Sequence, residues 1–263
     1  MDVAGTTSIV TGGGSGIGRA AALLLAEKGS SVFLIDVDGP GMAETEALIA
    51  AAGGKSAAAE ADVSDPEALR GALEAGRDWA GFVSVLVNNA GIATPRPGWL
   101  EVPPEDWSKV IDVDLSAVIH GTQIAAELMR DTGGVVINTA SMAGLYAWPG
   151  DPVYSAAKAG VVFFTRAAAE WMEPLRIRVN CVCPGVVDTP LVRRGVESSE
   201  DDEIRRRFET ITLIQPRQVA EGMLTLIEDD TLTGQAMTIL FEGNEIAQVP
   251  GIATAQLFGS TSE

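Results

Sequence analysis

The chain has 263 residues, 46% of them hydrophobic, enough apolar side chain for one large α/β domain and too much for a disordered polymer. Its 36 acidic and 18 basic residues leave a formal net charge of −18, a field that repels nucleic acid and anionic membrane surfaces. No uninterrupted apolar run approaches the roughly 18 residues of a membrane-spanning helix.

In chain order, β-forming apolar runs predict strands at 7–11, 31–36, 55–61, 83–88, 135–139, 177–183 and 236–241. Between them, apolar residues recur at three- and four-residue spacing over 18–28, 44–51 and 67–79, and over two longer helices at 104–130 and 152–172. Pro66 and Pro104 suit first helical turns, with Ser64 or Asp65 as an N-cap for the former. Strands alternating with helices predict a parallel sheet covered on both faces, as one domain over 1–263. Residues 188–215 are charged and fit that alternation least well. Cys181 and Cys183 alternate along a strand to the same face and read as reduced core residues. The opening Met1-Asp2-Val3-Ala4 lacks the charged and apolar regions of a signal peptide, and the reduced cysteines lead to the expectation of a cytoplasmic location.

The first strand runs into Thr11-Gly12-Gly13-Gly14-Ser15-Gly16-Ile17-Gly18, and a helical pattern follows at once. Glycines permit a tight turn and close backbone approach to a pyrophosphate, while the helix N-terminus presents free N–H groups to the anion. Asp36 ends the second strand, 18 residues beyond Gly18, where a carboxylate can accept the adenosine ribose hydroxyls. A 2′-phosphate there would meet the acid, and Val37 supplies no cation. The cofactor expected is NAD, on a Rossmann-like doubly wound sheet of about seven strands.

These motifs make the chain similar to the short-chain dehydrogenase/reductase family. Thr11–Gly18 resembles its TGxxxGIG loop, and Asn88-Asn89-Ala90-Gly91 its NNAG motif. Asp62-Val63 resembles its adenine-contacting pair, and Pro184-Gly185-Val186-Val187-Asp188-Thr189-Pro190 the stretch that holds the nicotinamide carboxamide. The resemblance spans nearly the whole chain. It implies cofactor contacts from Gly12, Ser15, Gly16, Ile17, Gly18, Asp36, Val37, Asp62, Val63, Asn89, Ala90, Gly91, Tyr154, Lys158, Pro184, Gly185, Val187 and Thr189. Residues 226–234, 116–122 and 151–158 further resemble the family's 15-hydroxyprostaglandin dehydrogenase branch, with Asp151 where that branch has a glutamine.

Tyr154 and Lys158 stand four residues apart, on one helix face. A free phenol titrates near about 10, so making it a base near neutrality requires roughly 4 kcal/mol of preferential phenolate stabilisation. Burial opposes this; the Lys158 ammonium, together with the positive nicotinamide of NAD⁺, can supply it. Ser141 lies thirteen residues before Tyr154, the family's spacing. The resemblance implies that Ser141 binds the substrate oxygen and Tyr154 is the general acid–base. Lys158 would hold the nicotinamide ribose and lower the phenol. One departure stands out: Asp114 occupies the place of an Asn that helps the family hold a water chain to the lysine. Its backbone carbonyl is retained, and its carboxylate can support the ammonium form of Lys158.

The expected activity is hydride transfer between NAD(H) and a secondary alcohol or ketone, with an apolar substrate favoured by Met142, Leu145, Tyr146, Trp148, Val186 and Leu191. Residues 188–215 occupy the family's lid position; their arginines can meet a substrate carboxylate or form a solvated ion-paired face. The two long helices match the family's dimer-forming helices, so a homo-oligomer, dimer or tetramer, is expected. A non-catalytic NAD-binding regulator and an NAD-dependent epimerase or dehydratase on the same fold are the alternatives. His120 is the sole histidine and, with Cys181 and Cys183, does not make a zinc site.

Overall fold

A computed structural model describes residues 1–95, 98–197, 206, 208, 210–241 and 243–247. Part of the expected 188–215 lid lies outside the described residues. The strands are β1 (Thr7–Thr11), β2 (Ser31–Asp36), β3 (Lys55–Glu60), β4 (Val85–Asn88), β5 (Gly134–Thr139), β6 (Ile177–Pro184), β7 (Ala236–Leu240) and β8 (Gly243–Ile246). The α-helices are α1 (Gly16–Glu27), α2 (Gly39–Ala51), α3 (Pro66–Ala80), α4 (Pro104–Ile111), α5 (Ala117–Leu128), α6 (Pro152–Met172), α7 (Pro190–Glu197) and α8 (Pro216–Glu228).

The strands form one sheet in the order β3-β2-β1-β4-β5-β6-β7-β8. All neighbours are parallel except β7 and β8, which pair antiparallel. The expected sheet of about seven strands is therefore extended by an eighth. β8 is short, polar and exposed, and its extended form comes from the ladder that sets Met237 against Ile246. From β1 the chain winds outward to β3, then returns to β4 on the other side of β1. The resulting crevice lies at the carboxyl ends of β1 and β4, the switch point where doubly wound sheets bind ligands.

Alternation along each strand separates two cores. Val32, Leu34, Val85, Val87, Val135 and Ile137 pack with α1, α2 and α8. Phe33, Ile35, Leu86, Val136 and Val179 pack with α3 and α5 on the opposite face. Each fully buried Leu or Ile side chain stabilises the fold by about 2 kcal/mol, against about 1 kcal/mol for a net hydrogen bond, so apolar burial dominates. Polar contacts fix register instead. Asn88 Nδ2 donates to Asn138 Oδ1 at 3.0 Å, and Asn138 Nδ2 donates to Thr165 at 2.9 Å, joining β4, β5 and α6.

Local chemistry sets the helix ends. Asp65 caps α3 by accepting the N–H groups of Glu67 and Ala68. α2 starts earlier than its apolar spacing suggests because Asp38 accepts the Gly41 N–H and Pro40 suits the first turn. The helix expected over 104–130 is interrupted by a π-helical turn at Asp112–Ser116. Such turns interrupt the regular helical ladder and frequently mark functional sites. Cys181 and Cys183 are free, buried, and share one apolar cluster beneath α6.

Candidate active site

The carboxyl ends of β1, β4, β5 and β6 supply the loops around the crevice. After β1, Gly12–Gly18 turns into α1, whose N-cap Ser15 makes no side-chain cap hydrogen bond. A Cβ on Gly18 would collide with the Gly12 carbonyl, so only glycine lets the helix start this close to the strand end. Asn89 holds the loop from beside it: its amide donates to the Thr11 carbonyl at 3.0 Å, while its backbone N–H reaches the Thr11 hydroxyl at 2.9 Å. Ala90 also donates to that hydroxyl. Thr11, which is absent from the expected cofactor contacts, thus anchors the loop after β4 to the glycine loop.

At the end of β2, the two Asp36 carboxylate oxygens accept the N–H groups of Gly14 and Asp38 at 2.9 and 3.0 Å. Val37 is exposed beside it. Arg19, a nearby cation in sequence, is committed elsewhere: it pairs with Glu44 at 2.7 Å and donates to Thr45 and to the Gly14 carbonyl. After β3, Asp62 accepts from the Ser64 backbone and hydroxyl; these bonds, with Lys109 nearby, hold its carboxyl below the usual range. Val63 is buried in the α3-side core.

Ser141 follows β5 and caps a short 3₁₀ turn, Met142–Gly144, by accepting the Ala143 N–H at 3.1 Å. A Cβ on Gly144 would stand 2.6 Å from the Lys158 carbonyl, so the glycine lets this turn lie against α6. Asp151 caps α6. Its carboxylate accepts the Tyr154 N–H at 3.0 Å, the Thr94 N–H at 2.9 Å and the Thr94 hydroxyl at 2.7 Å. The position that replaces the branch's glutamine is therefore occupied by an internal clamp, a role that only the fold reveals.

Tyr154 and Lys158 lie one turn apart on α6. The Trp148 ring meets Tyr154 edge-on at 6.4 Å, and Lys158 Nζ lies 5.5 Å from the Tyr154 ring centre. That ammonium donates to the Thr139 carbonyl at 3.0 Å and lies 2.9 Å from Asp114 Oδ2. The Asp114 contact is an ion pair by distance rather than a well-aligned hydrogen bond, and Oδ2 has no hydrogen-bond partner among the described residues. Oδ1 accepts the Ile92 N–H at 2.8 Å. Both members of the pair are buried.

Burial alone would lower the Lys158 ammonium, but the Asp114 carboxylate and Tyr154 more than reverse this, and its pKa is raised. Burial pushes the Asp114 carboxyl up, with the Lys158 charge and Ile92 N–H opposing. For Tyr154, burial again raises the phenol; Lys158 and Ser141 oppose, Asp114 and Asp151 reinforce, and the net direction is upward. Lys158 acts in the lowering direction expected of it but does not by itself outweigh burial, to which the Asp114 carboxylate adds.

After β6, Pro184 closes the strand and Gly185 donates to the Ile239 carbonyl at 3.0 Å. Val187 bridges Ile214, tying together two points at the base of the expected lid. Thr189 caps the start of α7 through the Val192 N–H and lies against Gly16, so the last motif returns to the first. Arg193 is held by Asp188 at 2.6 Å and belongs to an ion-paired face. Met142 and Leu145 pack partly into the α6-side core, whereas Tyr146, Trp148 and Val186 expose much of their surface.

This donor set fits NAD. The glycine loop and an α1 N-terminus without acidic residues in its first turn accommodate a pyrophosphate. Asp36 retains lone pairs for ribose hydroxyls, and Arg19 is paired with Glu44. Groups of three or more metal-ligating residues are absent among the described residues.

An eight-stranded, predominantly parallel sheet with a glycine loop at its switch point and a Ser-Tyr-Lys group beyond β5 defines a nucleotide-dependent oxidoreductase architecture. The chain belongs to the short chain dehydrogenase family, whose model matches residues 6–200. It is 34% identical over 255 residues to 15-hydroxyprostaglandin dehydrogenase [NAD(+)] from Bos taurus, covering 91% of this chain and 92% of that protein. It is 37% identical over 224 residues to cyclohexanol dehydrogenase from Acinetobacter sp. (strain SE19), covering 85% and 88%. Among solved structures, levodione reductase superposes with a TM-score of 0.84 at 28% identity, covering 90% of this chain and 96% of that one.

Proposed function

We propose that this protein is an NAD-dependent dehydrogenase/reductase that interconverts an apolar secondary alcohol and its ketone. The observation that carries the reading is Tyr154, flanked by Lys158 and Ser141, at the same carboxyl-terminal end of the sheet as a glycine loop beside Asp36. Relatives named for NAD(+) and for oxidation of cyclohexanol or a hydroxyprostaglandin support the same cofactor and substrate class.

Bound NAD(H) would supply the hydride acceptor or donor. Gly12, Ser15, Gly16, Ile17 and Gly18 would hold its pyrophosphate, Asp36 its adenosine ribose, and Asp62 and Val63 its adenine, with Val37 leaving no cation for a 2′-phosphate. Asn89, Ala90 and Gly91 would shape the floor, while Pro184, Gly185, Val187 and Thr189 would hold the nicotinamide end. Lys158 would donate to the nicotinamide ribose. Ser141 donates a hydrogen bond to the substrate oxygen, and Tyr154 accepts the alcohol proton during oxidation or returns it during reduction. Trp148, Tyr146 and Val186 offer an apolar approach, supporting an alkyl or cyclic substrate over a sugar.

The chain is read as a single domain that closes a lid at about 188–215. We read it as a cytoplasmic homo-oligomer that associates through α5 and α6, where Ile119, Phe163 and Trp171 are exposed. The test is NADH formation from NAD⁺ with cyclic and linear secondary alcohols, alongside NADP⁺ and the Tyr154→Phe variant. NAD-selective turnover abolished by the variant supports the reading. NAD binding without hydride transfer across the panel supports a regulatory role instead.

A further inference from the structure

The charge buried beside Tyr154 is not a single cation. Lys158 Nζ is 2.9 Å from Asp114 Oδ2, with both side chains almost wholly inaccessible. The π-helical turn at Asp112–Ser116 brings Asp114 to this point between α4 and α5. Oδ1 is fixed by the Ile92 N–H at 2.8 Å. Gly91 closes over the pair: a Cβ there would stand 3.2 Å from Oδ2 and 3.5 Å from Nζ. Lys158 donates separately to the Thr139 carbonyl. The titratable groups facing this assembly are Tyr154 and Asp151 from the start of α6 and Cys183 from β6.

An uncharged residue at 114 would leave the Lys158 ammonium as a net positive neighbour of the phenol. A carboxylate there makes the lysine and residue 114 a nearly neutral dipole. In a poorly screened interior, opposite charges this close interact strongly, and the field a third group meets is the difference between them. Asp114 also strengthens retention of the lysine proton, because a neutral amine would leave a buried carboxylate uncompensated.

We propose that Asp114 is a positioning residue that holds Lys158 as a buried ammonium while offsetting part of the positive charge presented to Tyr154, so that the phenol releases its proton at higher pH than it would with an uncharged residue at 114. This rests on Tyr154 being the acid–base group. Alcohol oxidation, which needs the phenolate, is thereby shifted to more alkaline conditions. Ketone reduction, which needs the phenol, extends further into neutral and mildly alkaline conditions. The fold thus biases the direction of proton transfer through a residue that need not touch the substrate.

The test reads the phenol directly. The chain contains two tyrosines, Tyr146 and Tyr154, so the full-length protein with ¹³Cζ-labelled tyrosine gives two resonances, assigned with Tyr146→Phe. In Asp114→Asn, without cofactor, the Tyr154 midpoint should fall by about one pH unit, a modest shift for removal of one nearby charge, while Tyr146 stays in place. An unchanged or raised Tyr154 midpoint overturns the proposal. If the Asn variant does not fold, Asp114→Ser removes the same charge and must give the same direction. In the native chain, ¹³Cγ labelling of aspartate must show Asp114 ionised at neutral pH; a protonated Asp114 also overturns the proposal. With substrate, the ascending limb of kcat/KM for oxidation should move to lower pH with the phenol. Loss of hydride transfer in the native protein would defeat the functional reading yet leave the phenol titration to decide this one.

Discussion

The Asp151 carboxylate grips Thr94, taking its hydroxyl at 2.7 Å and its backbone N–H at 2.9 Å. The same carboxylate accepts the Tyr154 N–H, so one side chain both caps α6 and ties the loop after β4 to it. Removing a cap costs about 1 kcal/mol, and stranding a donor costs about 1–3 kcal/mol when it is fully buried; Thr94 is half-buried. Asp151→Ala should therefore lower unfolding free energy by about 1–3 kcal/mol, measured by urea denaturation. Asp151→Asn, which keeps an acceptor, should lose less than half of that.

Tyr154→Phe keeps the ring against Trp148 but removes the proton-transfer group. Its kcat should fall by about 10²–10⁴-fold. NADH binding, followed by fluorescence titration, should change only a few-fold. Comparable losses in binding and turnover would point to a collapsed site rather than missing acid–base chemistry.

The adenosine end offers a separate test. Asp36 braces the glycine loop through Gly14, and Val37 is exposed beside it. Combining Asp36→Ser with Val37→Arg replaces a repelling carboxylate with a phosphate partner. The ratio of kcat/KM for NADP⁺ over NAD⁺ should rise at least about tenfold, corresponding to about 1.4 kcal/mol of changed discrimination. A constant ratio would remove Asp36 from the specificity argument.

In solution, the α5 and α6 surface should be covered by a second copy. Trp171 is 85% exposed and Phe163 58% exposed in the isolated chain, costly for side chains of this size. Light scattering coupled to size exclusion should give an oligomer for the native protein. Phe163→Asp should shift it toward monomer without loss of helical content. A native monomer would eliminate the assembly proposal.

The pH dependence has a definite sign. Burial and the carboxylates of Asp114 and Asp151 outweigh Lys158 and Ser141 at Tyr154, leaving its phenol raised. Oxidation requires the deprotonated form, so kcat/KM for alcohol should climb as pH rises through the titration. Reduction requires the protonated form and should decline over the same interval. Parallel profiles in both directions would assign the controlling ionisation to another group.

Much of this architecture was legible before folding because the relevant information is local. The expected limits of β1, β2 and α6 coincide with the structure, since a short continuous β-forming run marks a strand covered on both faces and three-to-four-spaced apolar residues mark a helix face. The glycine loop, Asp36 and the four-residue spacing of Tyr154 and Lys158 are likewise written along the chain. The tertiary structure decided what their neighbours do. β8 is polar and exposed, and becomes a strand only through β7. The π-helical turn hides within a continuous helical pattern, yet it brings Asp114 to Lys158. Residues 114 and 158 are distant in sequence, so neither periodicity nor motif spacing states the length of their ion pair. Packing brings the charges to 2.9 Å and excludes water. Electrostatic strength depends on both separation and screening, so the charge environment of Tyr154 is a property of the folded molecule.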